Sequence, residues 1–180
     1  RWLPNLETMH TPAAQSMRAL SEEWATHFGY YDNTIDLSVD DLSAFTTPEC
    51  AMTAHAPLWG TKEGAEQAVP VAEVRRRLAR MLRLGRPIRQ DMHVASHRNG
   101  TELALFFKLE LRIRFVPITF RTIALVLLFK AVDRGEGLRI NDVHEWAAED
   151  SNAASRLLVE RHGWPPGTTM RPHVAFGALS

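Results

Sequence analysis

Residues 101 to 116 alternate so regularly that they predict a β-strand with two different faces. The odd positions are all apolar: Leu103, Leu105, Phe107, Leu109, Leu111, Ile113 and Phe115. Because successive side chains of a strand point to opposite sides, this run predicts one continuous buried face. The even positions begin with Ala104 and Phe106 and continue with Lys108, Glu110, Arg112 and Arg114. That charged face looks either into water or into a pocket where charged groups take part in chemistry.

The segments around this strand predict helices followed by a sheet. Helical spacing and capping signals mark 12–28, 38–45, a segment opened by Thr61, 71–84 and 149–162, while alternation marks 87–97, 118–132 and 138–147. The stretch "ECAMTAHA" predicts a further short strand. Helices first, then a strand meander, then a closing helix predict an α+β fold. We expect a curved antiparallel sheet with the N-terminal helices on its concave face and a C-terminal helix.

Length and composition predict one domain. The chain has 180 residues, of which 45% are hydrophobic, against roughly 150 residues for a typical domain. We expect 1–180 to form a single domain with its core at 11–162 and an irregular, Pro- and Gly-rich tail at 163–180. The lone Cys50 cannot form an internal disulfide, so we expect a cytoplasmic protein. The longest apolar run, 123–129, is far short of the roughly 20 residues that a membrane helix needs.

The charges argue against nucleic-acid and membrane partners. Twenty-one basic and 21 acidic side chains cancel, so no net charge attracts the chain to polyanions. The basic run "RRRLARMLRLGR" has a helical period, which makes its arginines the solvated side of a helix. His55, His93, His144 and Asp142 could act as general bases or ligands, but their spacing matches no zinc motif. We therefore expect neither a metal nor a cofactor.

The last predicted strand, in "LRINDVHEWAAED", offers a second carboxyl group. Arg139, Asn141, Val143 and Glu145 alternate there with Ile140, Asp142, His144 and Trp146. Only one of Glu145 and His144 can therefore share a pocket with Glu110. In a meander the two strands flank 118–132, so their backbones lie roughly 9–10 Å apart, within reach of long side chains.

The order of these elements resembles a known family. The stretches "LWGTKEGAEQA", "MHVASHRNGTELALFFKLEL" and "IALVLLFKAVDRGEGLRINDVHEWAAED" resemble the nuclear-transport-factor-2-like cone fold, particularly limonene epoxide hydrolase and SnoaL-like cyclases. The resemblance covers roughly residues 11–160 and implies a cone-shaped sheet around a pocket. Because this fold hosts hydrolases, isomerases, dehydratases, cyclases and binding modules, the reaction depends on the side chains of the site.

The resemblance to limonene epoxide hydrolase implies roles for three residues. Glu110 would protonate an epoxide oxygen, Glu145 would activate water, and Lys108 would hold their ionisation states apart. Each position departs from that family, which carries an arginine and two aspartates there. Lysine lacks the planar fork with which arginine grips two carboxylates, and each glutamate adds a methylene group.

Further pocket residues follow from the same resemblance, although core packing or loop exposure would also explain them. The expected substrate-binding residues are Trp24, Tyr30, Tyr31, Asp32, Thr53, His55, Trp59, His93 and Trp146. We expect a homodimer, joined through its apolar outer sheet face, that hydrolyses an epoxide in a small, largely apolar organic molecule. Two alternatives stay open: an isomerase, dehydratase or cyclase that uses His55, His93 or Asp32, and a non-catalytic ligand-binding or dimerisation module.

Overall fold

The computed structural model describes residues 12–30, 33–38, 41–55, 68–116 and 118–173. Three helices lie in these segments: α1 (Pro12–His27), α2 (Val71–Leu84) and α3 (Ser151–His162). The strands are β1 (Thr46–Ala54), β2 (Ala68–Pro70), β3 (Gly85–Ser96), β4 (Glu102–Ile113), β5 (Thr119–Asp133), β6 (Leu138–Ala147) and β7 (Arg171–Pro172). The predicted α+β class is confirmed. The sequence did not predict β2 or β7, and β7 lies in the tail that was expected to be irregular.

The strands form one curved, unclosed sheet in the order β2-β1-β6-β5-β4-β3-β7. Strands β3, β4, β5 and β6 pair antiparallel in chain order, which confirms the predicted meander. Strand β1 differs, because it pairs parallel with β6 and makes the sheet mixed. Hairpin signals reveal pairing only between strands that follow each other closely, whereas a parallel pair needs a long crossover.

Helices α1 and α2 cover one face of the sheet, which we call the interior face. Their apolar stripes pack against the odd positions of β4 from Leu103 to Leu111, so the predicted buried face is confirmed over that stretch. It is wrong at Ile113 and Phe115, which are exposed because β4 ends there and the chain turns. The core members from the two helices are Met17, Leu20, Trp24, Phe28, Val71, Val74 and Leu78. Helical spacing of three or four residues brings each set onto one side of its helix.

Helix α3 and the segment 163–170 cover part of the opposite face, which we call the outer face. There Phe106, Val126 and Leu128 pack against Leu158 and Trp164. These apolar residues of the outer face are therefore covered within the chain, although we expected them to join two subunits. Homodimerisation remains a prediction.

An irregularity in β6 changes which face a side chain occupies. The register with β5 shifts between Lys130 and Ala131, and Ile140 and Val143 both join the interior core. The sequence predicted unbroken alternation, with Ile140 on the face of Asp142. That prediction is wrong, because a bulge places an extra residue in one strand and reverses the alternation beyond it.

The segment 38–45 does not form the predicted short helix. Its described residues make turns, in which Asp36 accepts the backbone N–H of Ser38 at 2.9 Å and Asp41 accepts that of Ser43 at 2.9 Å. Aspartates that bond the chain two residues ahead stabilise turns in competition with helix. Residues 61–67 of the helix expected from Thr61 lie outside the described residues, and the stretch that follows, Ala68–Pro70, is strand β2.

Candidate functional site

Lys108 and Glu110 project from the outer face of β4. Both lie on the side of Phe106, which belongs to the outer core. Lys108 forms an ion pair with Asp91, with 3.2 Å between Nζ and Oδ2, and both side chains are exposed. Arg112 Nε donates to Glu110 Oε1 at 2.9 Å, and Thr119 and Gln90 also donate to this carboxylate. The hydrogen bonds from Arg112 and then Thr119 lower the pKa of Glu110, so it is held as a carboxylate at the surface.

Glu145 projects from the opposite face of the sheet. It pairs with Leu127 of β5, whose side chain belongs to the interior core, and it is only 2% exposed. Paired residues of an antiparallel ladder point to the same side, so Glu145 faces the interior. The structure therefore does not bring Glu145 together with Glu110 and Lys108. The separation follows from the register of the strands. Glu110 pairs with Thr122, an even-numbered position of β5, whereas Glu145 pairs with Leu127, an odd-numbered position, and the two kinds of position point to opposite faces of the sheet.

A second set of polar groups meets the interior face where α1 ends. We call Trp24, Tyr30, Arg89 and Glu145 the interior polar cluster. Arg89 pairs with Leu109 of β4 and so faces inward. Its Cζ lies 4.0 Å from the centre of the Tyr30 ring, and its Nη1 donates to the carbonyl oxygens of Gly29 at 3.1 Å and Tyr30 at 3.3 Å. One cation thus fixes both the ring and the backbone of Tyr30.

Gly29 sets the position of Tyr30. Its φ of 69° lies in the left-handed region, and a Cβ there would come within 2.9 Å of the Thr34 carbonyl oxygen. The chain can therefore turn sharply after α1, and Tyr30 N donates to Ala25 O at 2.8 Å. This turn places the tyrosine ring edge-on against Phe107, with 5.6 Å between the ring centres.

The electrostatics of the cluster keep Tyr30 protonated. The residue as a whole is half-buried, but its hydroxyl group lies inside, and burial raises the pKa of Tyr30 to about 12. The Arg89 guanidinium opposes this increase, while the charge of Glu145 adds to it. Burial also lowers the pKa of Arg89, and the charge of Tyr30 acts in the other direction. The phenol is therefore a hydrogen-bond donor beside a carboxyl group.

Two buried donor atoms of the cluster have no hydrogen-bond partner among the described residues. They are Trp24 Nε1 and Arg89 Nε. The indole of Trp24 lies close enough to the Tyr30 hydroxyl to act on its pKa, yet the geometry is not that of a hydrogen bond. A buried N–H without an acceptor costs about 1–3 kcal/mol, so an acceptor oxygen placed among these groups would be stabilised.

The outer face carries a separate group of side chains, four rings and one carboxylate, that we call the histidine cluster: His55, Asp142, His144, Trp146 and His162. Asp142 Oδ2 lies 2.7 Å from His144 Nε2, and His144 Nδ1 lies 3.1 Å from His55 Nε2. The His55 ring stacks on Trp146 at 4.8 Å, and the His162 ring lies 4.4 Å from Trp146. Because a carboxylate only accepts, His144 Nε2 donates to Asp142, and in the tautomer that carries its single proton on Nε2 the His144 Nδ1 accepts from His55.

Burial affects the two ends of this cluster differently. Burial acts to raise the pKa of Asp142, but the hydrogen bond from His144 and the nearby positive charges outweigh it, so the pKa is lowered. Burial and then the charge of Lys130 lower the pKa of His162 to about 4. Its Nε2 is buried without a partner among the described residues, so protonation there is unfavourable.

The predicted site residues therefore divide between two faces. Trp24, Tyr30 and Glu145 lie together in the interior, whereas Lys108, Glu110, Thr53, His55, His93 and Trp146 lie on the outer face. Tyr31, Asp32 and Trp59 lie outside the described residues.

Arg89 is a residue of the candidate site that the sequence did not reveal. The register of β3 shifts between Gln90 and His93, so regular alternation along the strand does not show that Arg89 points inward. The signal in the sequence was spacing: Arg89 lies two residues after Pro87, so the two share a face of the strand, and Pro87 is buried in the structure.

Within the described part of the chain, His, Cys, Asp and Glu side chains do not assemble any group of three that could hold a metal ion. Among the same residues, no helix is both long and apolar enough to cross a membrane.

Comparisons with known proteins give likeness in structure only. No protein-family model and no curated protein matches the sequence. A proposed polyketide cyclase from Xanthomonas campestris is similar with a TM-score of 0.48 and 17% identity, over 74% of this chain and 90% of that one. The epoxide hydrolase/cyclase-like enzyme SalBIII of salinomycin pyran-ring formation gives 0.43 and 14%, over 75% and 95%. A protein from Catenulispora acidiphila with a ketosteroid isomerase-like fold gives 0.42 and 14%, over 82% and 97%. Identities this low decide nothing about the reaction, which has to be inferred from the side chains of the chain itself.

Proposed function

We propose that this chain is an enzyme that transfers a proton at the carbon next to a carbonyl group in a small, largely apolar organic molecule. Isomerases, dehydratases and cyclases use this chemistry. The observation that carries the proposal is the burial of Glu145 on the same interior face as a protonated Tyr30. Buried carboxyl groups beside other buried polar groups concentrate at functional sites.

Glu145 and Tyr30 have complementary roles in this reaction. The carboxylate of Glu145 removes the proton from the carbon, and the electron pair of the broken C–H bond moves into the carbonyl, whose oxygen becomes an enolate. Tyr30 keeps its proton and donates a hydrogen bond to that oxygen as its negative charge develops. The carboxylic acid of Glu145 then returns the proton to another carbon or to a departing hydroxyl group.

The surroundings of the cluster support an apolar substrate with one carbonyl oxygen. Trp24 stacks on Phe28 with 3.8 Å between ring centres, and Phe107 and Phe129 belong to the same core. The indole N–H of Trp24 and the Nε–H of Arg89 would provide additional donors for the oxygen of a bound substrate. Aromatic walls with a few polar groups are typical of sites for small molecules.

This arrangement favours proton transfer at carbon over the expected epoxide hydrolysis. The expected mechanism needs two carboxyl groups and a cation in one pocket, whereas Glu110 and Glu145 occupy opposite faces of the sheet. The interior polar cluster supplies one carboxyl group and one neutral donor, which are the parts that enolate formation requires.

Hydrogen exchange tests the proposal. The purified chain is incubated in heavy water with cyclohexanone and larger bicyclic ketones, and loss of the proton signal next to the carbonyl is followed by NMR. We expect exchange above the buffer rate, reduced about a hundred-fold or more by Glu145→Gln and about ten-fold by Tyr30→Phe. Glu110→Gln is the matched control and should leave the rate unchanged.

Two results would refute this assignment. One is no exchange with any ketone, and the other is exchange that Glu145→Gln leaves intact while circular dichroism shows the fold unchanged. A parallel incubation of the wild-type chain with epoxides in isotopically labelled water separates the reactions. Label in a diol would instead favour epoxide hydrolysis and contradict the enolate chemistry.

A further inference from the structure

The turn between β4 and β5 exposes a group of apolar side chains. Among the described residues, all the exposed large hydrophobic side chains lie at this end of the sheet: Leu84, Ile113, Phe115, Val116 and Ile118. Arg114 N donates to Leu84 O at 3.1 Å, and Ile113 N donates to Ile118 O at 3.3 Å. The first bond holds the end of α2 beside the turn, and the second closes the turn itself. We call the segments 83–86, 110–116 and 118–121 the hairpin tip.

Phe115 is the most prominent residue of the hairpin tip. Its side chain is 94% exposed, and its φ of 74° lies in the left-handed region, which residues other than glycine rarely adopt. An exposed aromatic ring on an unfavourable backbone conformation does not contribute to folding. Strained backbone that presents a side chain outward is typical of sites that contact another molecule.

Arginines surround these apolar side chains. The hairpin tip contains Arg83, Arg86, Arg112, Arg114 and Arg121, and its one acidic residue is Glu110, so five positive charges minus one negative leave a net charge of four. Arg112 pairs with Arg86 across β3 and β4, and it binds Glu110 at 2.9 Å. The chain as a whole has no net charge, so the positive charge of the hairpin tip is balanced by acidic residues elsewhere in the molecule.

We propose that the hairpin tip binds the surface of a lipid bilayer that contains anionic lipids. Phe115 and its apolar neighbours enter the region between headgroups and acyl chains, and the arginines contact lipid phosphates. Arginine forms paired hydrogen bonds with phosphate, and aromatic side chains are stable at the membrane interface. The contact is peripheral, and no described helix spans a membrane.

The shape of the hairpin tip favours a bilayer over a protein partner. A stable protein interface covers roughly 800 Å² on each side, and a turn of a few residues presents much less. A bilayer accepts apolar side chains one at a time and needs no matching surface. A second copy of this chain would bring four more positive charges against the first four, which opposes pairing of the two tips.

Vesicle sedimentation tests the inference with the full chain. The protein is mixed with vesicles of phosphatidylcholine alone, or of phosphatidylcholine with phosphatidylserine, at low and high salt. We expect binding to the anionic vesicles only, weakened by salt. Arg114→Gln should weaken it about five-fold, and Phe115→Gly about ten-fold or more. Phe115→Gly also relieves the left-handed conformation, so a loss of binding would not reflect unfolding.

Arg98→Gln is the matched charge control, because Arg98 is exposed in the β3–β4 turn and lies outside the hairpin tip. It should bind the anionic vesicles like the wild type. The inference is overturned by no binding, by equal binding to both kinds of vesicle, or by equal losses from Arg98→Gln and Arg114→Gln. Two further results would indicate a protein partner and would also overturn the inference. One is loss of vesicle binding when soluble polyglutamate of equal charge competes, and the other is self-association of the chain that Phe115→Gly abolishes.

Discussion

His162 makes the stability of the chain depend on pH in a range that is easy to measure. Its ring packs against Trp146 at the end of α3, and its pKa falls from 6.5 to about 4 through burial and the charges of Lys130, His144 and His55. Between these two values the unfolded chain binds a proton that the native chain does not. The free energy of unfolding therefore decreases as the pH falls from about 6.5 towards 4.

The size of the effect follows from the two pKa values. A difference between 6.5 and about 4 corresponds to about 3.4 kcal/mol at about 1.36 kcal/mol per pKa unit. Because the ring is only partly buried, solvent screening reduces this to roughly half, about 1.5 kcal/mol. His162→Gln removes the titrating group, so this part of the pH dependence should disappear.

Urea unfolding followed by tryptophan fluorescence, at about pH 7.5 and about pH 4.5, measures the effect. His162→Gln is the control, because every other titrating group is present in both chains and only the contribution of His162 differs between them. On acidification, the free energy of unfolding of the wild type should decrease by about 1.5 kcal/mol more than that of the variant. Equal losses in the two chains would refute the assignment of this pH dependence to His162.

Two further predictions concern the elements that hold the two faces of the sheet. Asp150→Ala should lower the free energy of unfolding by about 1 kcal/mol, because the Asp150 carboxylate accepts the Ala153 N–H at 2.7 Å as the N-cap of α3. Asp150→Asn keeps an acceptor oxygen and should recover most of this stability, as measured by thermal unfolding of both variants. Leu127→Ala should lower the free energy of unfolding, measured in urea, by about 2–5 kcal/mol, because the Leu127 side chain is fully buried. Leu84→Ala should change the same free energy by less than about 0.5 kcal/mol, because the Leu84 side chain is 79% exposed. Equal costs for the two alanine variants would contradict the placement of the core.

The elements that the sequence predicts well are those with a strong local signal. The helix at 71–84 and the strand at 138–147 have the predicted bounds, and the alternation of 101–116 forms β4 as far as Ile113, because each pattern extends over ten or more residues. Residues 114–116 were predicted as strand but form the turn before β5. The parallel pairing of β1 with β6 joins segments far apart in the chain, and no local pattern encodes it. The turns near Asp36 and Asp41 were predicted as helix because the same residue types also begin helices.

The candidate site depends on information that alternation alone does not contain. Sequence reasoning selected Glu145, Tyr30 and Trp24, which lie together, and also Glu110, which lies on the other face. Separating them requires the register of β4, β5 and β6, which pairs Glu110 with Thr122 and Glu145 with Leu127. A shift of one residue in that register would exchange the two faces, so the composition of each strand could not decide between them.

The proposed reaction requires Tyr30 and Glu145 in one interior site, and the pKa of Tyr30 tests this placement most directly. The chain has two tyrosines, so a Tyr31→Phe background leaves Tyr30 as the only one that titrates. Tyrosinate absorbance is read within seconds of a jump to alkaline pH, before the chain unfolds. We predict a pKa of about 12, and a lower value after Glu145→Gln because the nearby negative charge is removed. A pKa near its ordinary value of about 10, unchanged by Glu145→Gln, would contradict the shared site.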